Sequence, residues 1–368
     1  EWSEANNAAD PQNLTQNVQN GATLAAMGTG AYTLVSREPD VRTVMKRNEN
    51  YWGKGSMPLE FDEIVYRPIK ENATRIAALL SGEVDFVQDL PPQDIQRLQS
   101  TDGIKVNAGA ENRPIFLGMN IGVPELRGSD IKGKNPFADV RVRQAVNTAI
   151  NREAIQRVTM RGQSQPTGVI LTSAVNGYTK ELDTWPKFDV AAARKLLSDA
   201  GYPNGFSVTL HCSNDRYVND EGICQAVVGM LGQIGIKATL VAQSLRVHFP
   251  GIQRGEYDFY LLGWGIPTYD SHYVFHDLYR TKTPTAGTWN GTGYSNPAID
   301  AKIDALTSEV DTAKRNASIA EIWKELKAND VYASIHVQFI AYATRRGFDI
   351  PVDLENTPKM KFVTTPRS

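Results

Sequence analysis

The sequence is poor in the residues that usually announce chemistry. It holds two cysteines and five histidines in 368 residues, and two cysteines by themselves leave the redox compartment open. No apolar run reaches the roughly 18 residues that a membrane-spanning helix requires. Charge of neither sign is in surplus, with 39 Lys and Arg against 41 Asp and Glu. That balance argues against nucleic acid as the main partner, because phosphate binding calls for a basic excess or patch. There is no Gly-x-Ser-x-Gly elbow and no P-loop. Gly28-Thr29-Gly30 lacks the third glycine of a dinucleotide fingerprint, since Thr33 stands there, so a sharp turn into a strand is expected instead. The opening EWSEANNAAD has neither a basic n-region nor an apolar h-region, and no signal peptide is expected within it. His272 and His276 are four apart, a metal-ligand spacing on a helix, but HYVFH lacks the glutamate of the zinc-protease motif and no third ligand is evident. His211, His248 and His336 are isolated and read as structural.

What is present reads as an ordinary globular chain, 41% hydrophobic and 22% charged. Its length favours two lobes, or one large lobe with an appendage. Residues 1–27 are polar and read as a loop or the edge of a larger domain. DEIVYRPI (62–69) alternates like a strand. NATRIAALLSG follows, with Asn72 as N-cap and Gly82 as stop, and VDFVQ (84–88) is a second strand. The unit predicts a parallel pair. Asp139 and Asp189 cap two further amphipathic helices, the second ended by Gly201. Asn296-Pro297 opens another. VYASIHVQFIAYAT (331–344) has strand character.

The stretch 206–264 is the most informative. FSVTLHC alternates as a strand, Ile223 to Ile234 form a helical face, and IKATLVA (236–242) is a strand. VHFPGIQRG is a short helix or turn, with Pro250 awkward for anything longer. YDFYLLGW (257–264) is a nearly continuous apolar strand, expected to be buried on both faces. Helical crossovers make such strands parallel, so their C-terminal ends share one rim, where ligands of open α/β sheets bind. The loops leaving that rim bring Arg216, Tyr217, Trp264, Gly265, Tyr269 and Asp270 toward one mouth.

Several segments, in order, resemble the extracytoplasmic solute-binding proteins of oligopeptide and dipeptide ABC importers (family 5 solute-binding proteins). They include GTGAYTLV (28–35), RNENYWGKG (47–55), TRIAALLSGEVDFVQDLPPQD (74–94), NPFADVRVRQAVNTAINREAI (135–155), ARKLLSDAGYPNGF (194–206), YDFYLLGW (257–264) and GYSNPAID (293–300). The resemblance implies an α/β, two-lobed periplasmic-binding-protein-like fold (type II, cluster C) that closes over a peptide or similar solute and delivers it to the membrane permease of an ABC importer. It implies a periplasmic or extracytoplasmic, monomeric protein that is not an enzyme and needs no cofactor. Residues 1–118 are assigned to lobe I, 119–335 to lobe II and 336–368 to the return into lobe I, with crossings near 116–120 and 335–340. The family carries a longer stretch before the segment like GTGAY, so the chain reads as a truncated form with an incomplete first lobe.

In that likeness Asp270 matches an acid implicated in holding the ligand's α-amine. Arg216 lies in a loop that supplies an arginine for its carboxylate. The two would bracket a zwitterion; alternatively each is a solvated loop charge. Trp264, Tyr269 and Tyr217 would stack on the solute, although a strand-end tryptophan such as Trp264 also suits a core. Pro267 and His272 stand where dipeptide binders carry acids. That departure keeps a metal chelate, a haem-like cofactor or a sugar open as solute, and a periplasmic hydrolase is the reading from another class. Cys212 and Cys224 fit a disulfide in an exported protein, with two buried thiols as the alternative. A bridge closing so short a loop would contribute about 3 kcal/mol.

Overall fold

A computed structural model describes residues 2–5, 21–345 and 347–365. Most of the polar opening stretch, residues 6–20, lies outside the described residues.

The chain first forms a three-stranded antiparallel sheet of β1 (Tyr32–Glu38), β2 (Arg42–Arg47) and β3 (Glu63–Tyr66). Helix Asn72–Ser81 follows and ends where Gly82 takes φ +82°, a left-handed value that glycine adopts without steric cost. A seven-stranded sheet holds the rest. Its strands are β4 (Phe86–Val87), β5 (Ile104–Met119), β6 (Ser164–Pro166), β7 (Ser207–Ser213), β8 (Lys237–Gln243), β9 (Phe259–Gly263) and β10 (Tyr332–Arg345). The order is β4-β10-β5-β9-β7-β8, with β6 beside β10. Strands β7, β8 and β9 are parallel, as the crossovers through helices Asp220–Gly232 and Leu245–Gln253 require. The second helix keeps Pro250 inside it.

The expected parallel pair around helix Asn72–Ser81 does not form. β3 belongs to the small sheet, whereas β4 runs antiparallel to β10. A crossover dictates parallel pairing only when both strands join one sheet. Nor does Asn72 cap that helix. Glu71 holds the cap position without a side-chain bond, and Asn72 Oδ1 accepts from Arg75 at 2.6 Å. Asp139, Asp189 and Asn296 do cap their helices, each accepting from backbone N–H groups of the first turn.

The large sheet is covered on both faces. Phe259 and Leu261 of β9 enter one core with Ile115, Leu117, Phe137 and Ile223, while Tyr260 and Leu262 enter another with Phe116, Phe275 and Trp323. Period-two alternation thus feeds two apolar layers from one strand. Cys212 and Cys224 are bridged, pinning β7 to the crossover helix beside it.

Strands β5 and β10 are the longest, at 16 and 14 residues, and they pair along nearly their whole length. One end lies in the large cores through Ile115, Leu117, Ala333 and Ile335. The other end reaches smaller cores through Ile104, Ala341 and Ala343, and through Ile340 and Tyr342. Between them the pairing loses register twice, between Ser334 and His336 opposite Phe116 and Ile115, and between Val337 and Phe339 opposite residues 111–113 of β5.

Candidate ligand-binding cleft

A cleft of about 1730 Å³ takes in Gln338, which lies within the second break of register of β10. One wall is the segment from β3 into helix Asn72–Ser81 together with residues 83–91. The facing wall is the loop 214–221 after β7, and Gln338 of β10 lies between them.

The loop 214–221 is held from below. Asp220 is buried, and its carboxylate accepts from the backbone N–H groups of Arg216 (3.2 Å), Tyr217 (3.1 Å) and Glu221 (3.0 Å). Burial pushes its carboxyl above the usual range, opposed by Ser213 and these amides. Val218 N–H donates to Gln338 Oε1 at 2.9 Å. Tyr217 is buried against β9, and its hydroxyl donates to the Gly263 carbonyl at 3.0 Å. Arg216 lies over that ring, its guanidinium carbon 5.2 Å from the centroid. Arg216 and Tyr217 therefore both line the cleft, Arg216 as a half-exposed cation and Tyr217 as a packed support.

Under the loop, Glu111 joins both strands. It is 2% exposed. One oxygen accepts from Arg113 Nε at 2.6 Å and the other from Gln338 Nε2 at 2.5 Å. Asn112 donates to the Ile266 carbonyl at 2.8 Å and accepts from Thr172 at 2.7 Å. Nothing in the sequence reading singled out Glu111, Arg113 or Gln338. The available signal was ENRP, a polar and proline-bearing interruption of an otherwise apolar strand.

The loop after β9 is arranged differently, and none of Trp264, Gly265, Tyr269 and Asp270 lines the cleft. Trp264 is 7% exposed and stacks on Tyr273 with ring centroids 5.5 Å apart. Gly265 sits beside the Arg113 guanidinium. Tyr269 takes a left-handed φ of 52°. Its phenol is pushed up to about 12 by desolvation and by Glu355. Asp270 is the N-cap of helix Ser271–Val274, accepting from His272 N–H at 2.9 Å. Its other bonds come from Arg315 at 2.7 Å and Asn176 at 3.1 Å. Desolvation raises its carboxyl, but Arg315, Asn176 and the cap amide outweigh that and hold it below the ordinary value. Arg216 faces the cleft, while Asp270 ties the segment at Asn176 and helix Thr312–Asn329 to the loop after β9. Parallel strands fix where loops leave a sheet, not where their side chains turn.

His272 and His276 are neighbours, 5.7 Å between rings, with Thr307 and Asp277 as partners. Among the described residues no three His, Cys, Asp or Glu side chains group as metal ligands. A second cavity, of about 230 Å³, lies between the end of helix Thr312–Asn329 and the segments 168–170 and 184–186. No helix among the described residues is long and apolar enough to cross a membrane.

Comparison with known proteins matches residues 6–285 to the family described as bacterial extracellular solute-binding proteins, family 5. The glutathione-binding protein GsiB of Pectobacterium atrosepticum is 28% identical over 294 residues, covering 78% of this chain and 54% of that protein. GsiB of Escherichia coli K12 is 29% identical over 309 residues, covering 81% and 57%. The chain thus spans little more than half the length of these curated relatives. Among solved structures, the dipeptide-binding protein of Pseudoalteromonas sp. SM9913 in complex with Met-Leu superposes with a TM-score of 0.77 at 21% identity, over 99% of this chain and 68% of that one. CtaP of Listeria monocytogenes gives 0.79 at 17% identity, over 97% and 71%. Likenesses at such identities speak for the fold.

Proposed function

We propose that this chain, which belongs to the bacterial extracellular solute-binding proteins of family 5, binds a small peptide or peptide-like solute and hands it to the permease of an ABC importer. In this reading it works outside the cytoplasmic membrane, as a carrier and not an enzyme. The observation that carries it is the cleft between the wall 63–91 and the loop 214–221, with Gln338 at the second register break of β10 between them. Strands β5 and β10 are the principal connection between the cores on either side, so a small change at residues 111–113 and 334–339 would swing one wall toward the other. A solute touching both walls stabilises the closed arrangement and shifts an existing equilibrium, the form a permease can read. Residues 1–118 and 336–368 would move as one lobe and 119–335 as the other.

Backbone groups and Arg216 would supply most of the recognition. The side chains of a peptide would remain partly hydrated, which suits a carrier of varied solutes. Native mass spectrometry of the chain purified without added ligand tests this. A ladder of co-purified peptides supports the reading. A bare chain that also shows no calorimetric response to glutathione, Met-Leu or mixed tripeptides contradicts it.

A further inference from the structure

We infer that Asp220 is a positioning residue for solute capture: its ionised carboxylate sets the loop 214–221 that walls the cleft, and solute affinity depends on that charge. The inference rests on the solute-binding reading above and adds to it the group that regulates the site. Asp220 is 3% exposed. Its Oδ2 accepts from the amides of Arg216 and Tyr217 at 3.2 and 3.1 Å, and Oδ1 accepts from the Glu221 amide at 3.0 Å. Two of these donors precede Asp220 in the chain, so the carboxylate gathers the loop as well as the first turn of the helix it opens. Asn219, between them, takes a left-handed φ of 55° and makes no side-chain cap to that helix. Its Nδ2 donates instead to the Thr159 carbonyl at 2.9 Å.

The other fastenings of the loop act elsewhere. The bridge between Cys212 and Cys224 joins the strand before it to the helix after it. Asp215 accepts from Leu245 N–H at 2.7 Å, and Val218 N–H donates to Gln338 at 2.9 Å. Among the described residues only Asp220 accepts from the Arg216 and Tyr217 amides. Both of those residues line the cleft. The hold depends on charge. A carboxylate accepts on both oxygens, whereas a protonated acid or an amide turns a donor toward one of the amides. That charge also opposes the fold, because burial raises the carboxyl and the amides offset this only in part. No ion pair relieves it among the described residues. The charged groups around it are Arg216 on the loop, Arg113 of β5 across the Tyr217 ring, Asp215 and Glu221. Arg113 is bound to Glu111, Arg216 lies over Tyr217, and Glu221 accepts from Gln225. A buried charge that lowers stability while it orders a cleft wall is the mark of a functional group, not of a structural one.

A seated solute holds the loop and so favours the ionised carboxyl. Affinity is therefore full above the raised carboxyl value and declines as pH falls through it. The test is calorimetric titration of the whole chain with Ala-Glu-Ala between pH 7.5 and pH 5, beside Asp220→Ala and Asp220→Asn, each shown to be folded by circular dichroism. At the higher pH Asp220→Ala should bind about tenfold more weakly or worse, since three amides lose their acceptor. Asp220→Asn keeps one acceptor oxygen and should fall between the two. On acidification the unaltered chain should lose about threefold more affinity than Asp220→Asn, whose side chain does not titrate. The urea midpoint of Asp220→Asn should equal or exceed that of the unaltered chain at pH 7.5, whereas a residue that serves the fold alone would lower it and leave affinity unchanged. Should Asp220→Ala not fold, Asp220→Asn decides. Affinity within about twofold of the unaltered chain in folded Asp220→Asn at pH 7.5, or parallel pH profiles for the two, would overturn the role of Asp220 and leave the solute-binding reading intact. An unaltered chain that binds none of Ala-Glu-Ala, glutathione and Met-Leu would overturn both.

Discussion

Strand β9 buries every residue from Phe259 to Gly263, whereas β1 leaves Val35 53% exposed and β3 leaves Tyr66 52% exposed. The large sheet is an inner layer between two apolar cores. The small sheet is joined by backbone pairing and has little packed against it. Stability and mobility are therefore distributed unequally. Sheets with both faces covered resist opening, whereas elements with few buried apolar contacts open at low cost. The small sheet and the segment after it also form one wall of the cleft, through Met45, Phe61 and Glu63 to Arg75. The rigid region thus positions Arg216 and Tyr217, and the lightly packed region supplies the wall that can adjust to a guest.

Acid should separate the two regions most strongly. His336 and His248 are buried in the large-sheet region, and burial holds them down to about 3 and about 4. In the unfolded chain each takes up a proton near pH 6.5. Their contribution is full above that value and declines as pH falls toward 4, because the unfolded state then binds more protons. Asp220 and Asp330, raised by burial, act in the opposite sense at lower pH. The urea midpoint of the large-sheet transition should fall by an amount equivalent to several kcal/mol between pH 7 and pH 4. The small sheet has no histidine and should respond less, as amide exchange at the two pH values would show.

Core truncation comes next. Trp323 is 1% exposed, packs on Phe275 and Tyr279, and donates to Ser271. Trp323→Ala should cost about 3–5 kcal/mol in denaturant unfolding. Replacing both Cys212 and Cys224 by Ala should cost about 3 kcal/mol, since the bridge closes a short loop. Asp270→Ala removes a helix cap and the ion pair with Arg315, and should cost about 1–2 kcal/mol. Peptide affinity should remain within about twofold in that variant, and a tenfold loss would return Asp270 to the binding site. The smallest effect is expected from Val65→Thr, within about 0.5 kcal/mol, because Val65 is 48% exposed.

The parts of the fold that periodicity could reveal were those with a one-to-one physical cause. Alternation in FSVTLHC and the apolar run YDFYLLGW gave strands, crossover helices made them parallel, and Asp139, Asp189 and Asn296 acted as caps. Long-range choices were hidden. Nothing local says that β3 and β4 join different sheets, or that β4 pairs with a strand some 250 residues away. The site was half visible for the same reason. Arg216 stands in a loop whose position the strand rule fixes. Asp270 precedes a helix and meets Arg315, 45 residues on, so it became a cap and a tie. Glu111 and Arg113 belong to a strand, and the bonds of Glu111 to Arg113 and to Gln338 appear only once β5 and β10 lie side by side.

Amide hydrogen exchange of the whole chain, with and without saturating Ala-Glu-Ala, tests the central claim most directly. Seating of the solute between the two walls should slow exchange in residues 214–221 and 83–91 together. Unchanged exchange in both segments, or protection confined to residues 168–170 and 184–186 around the smaller cavity, would contradict it.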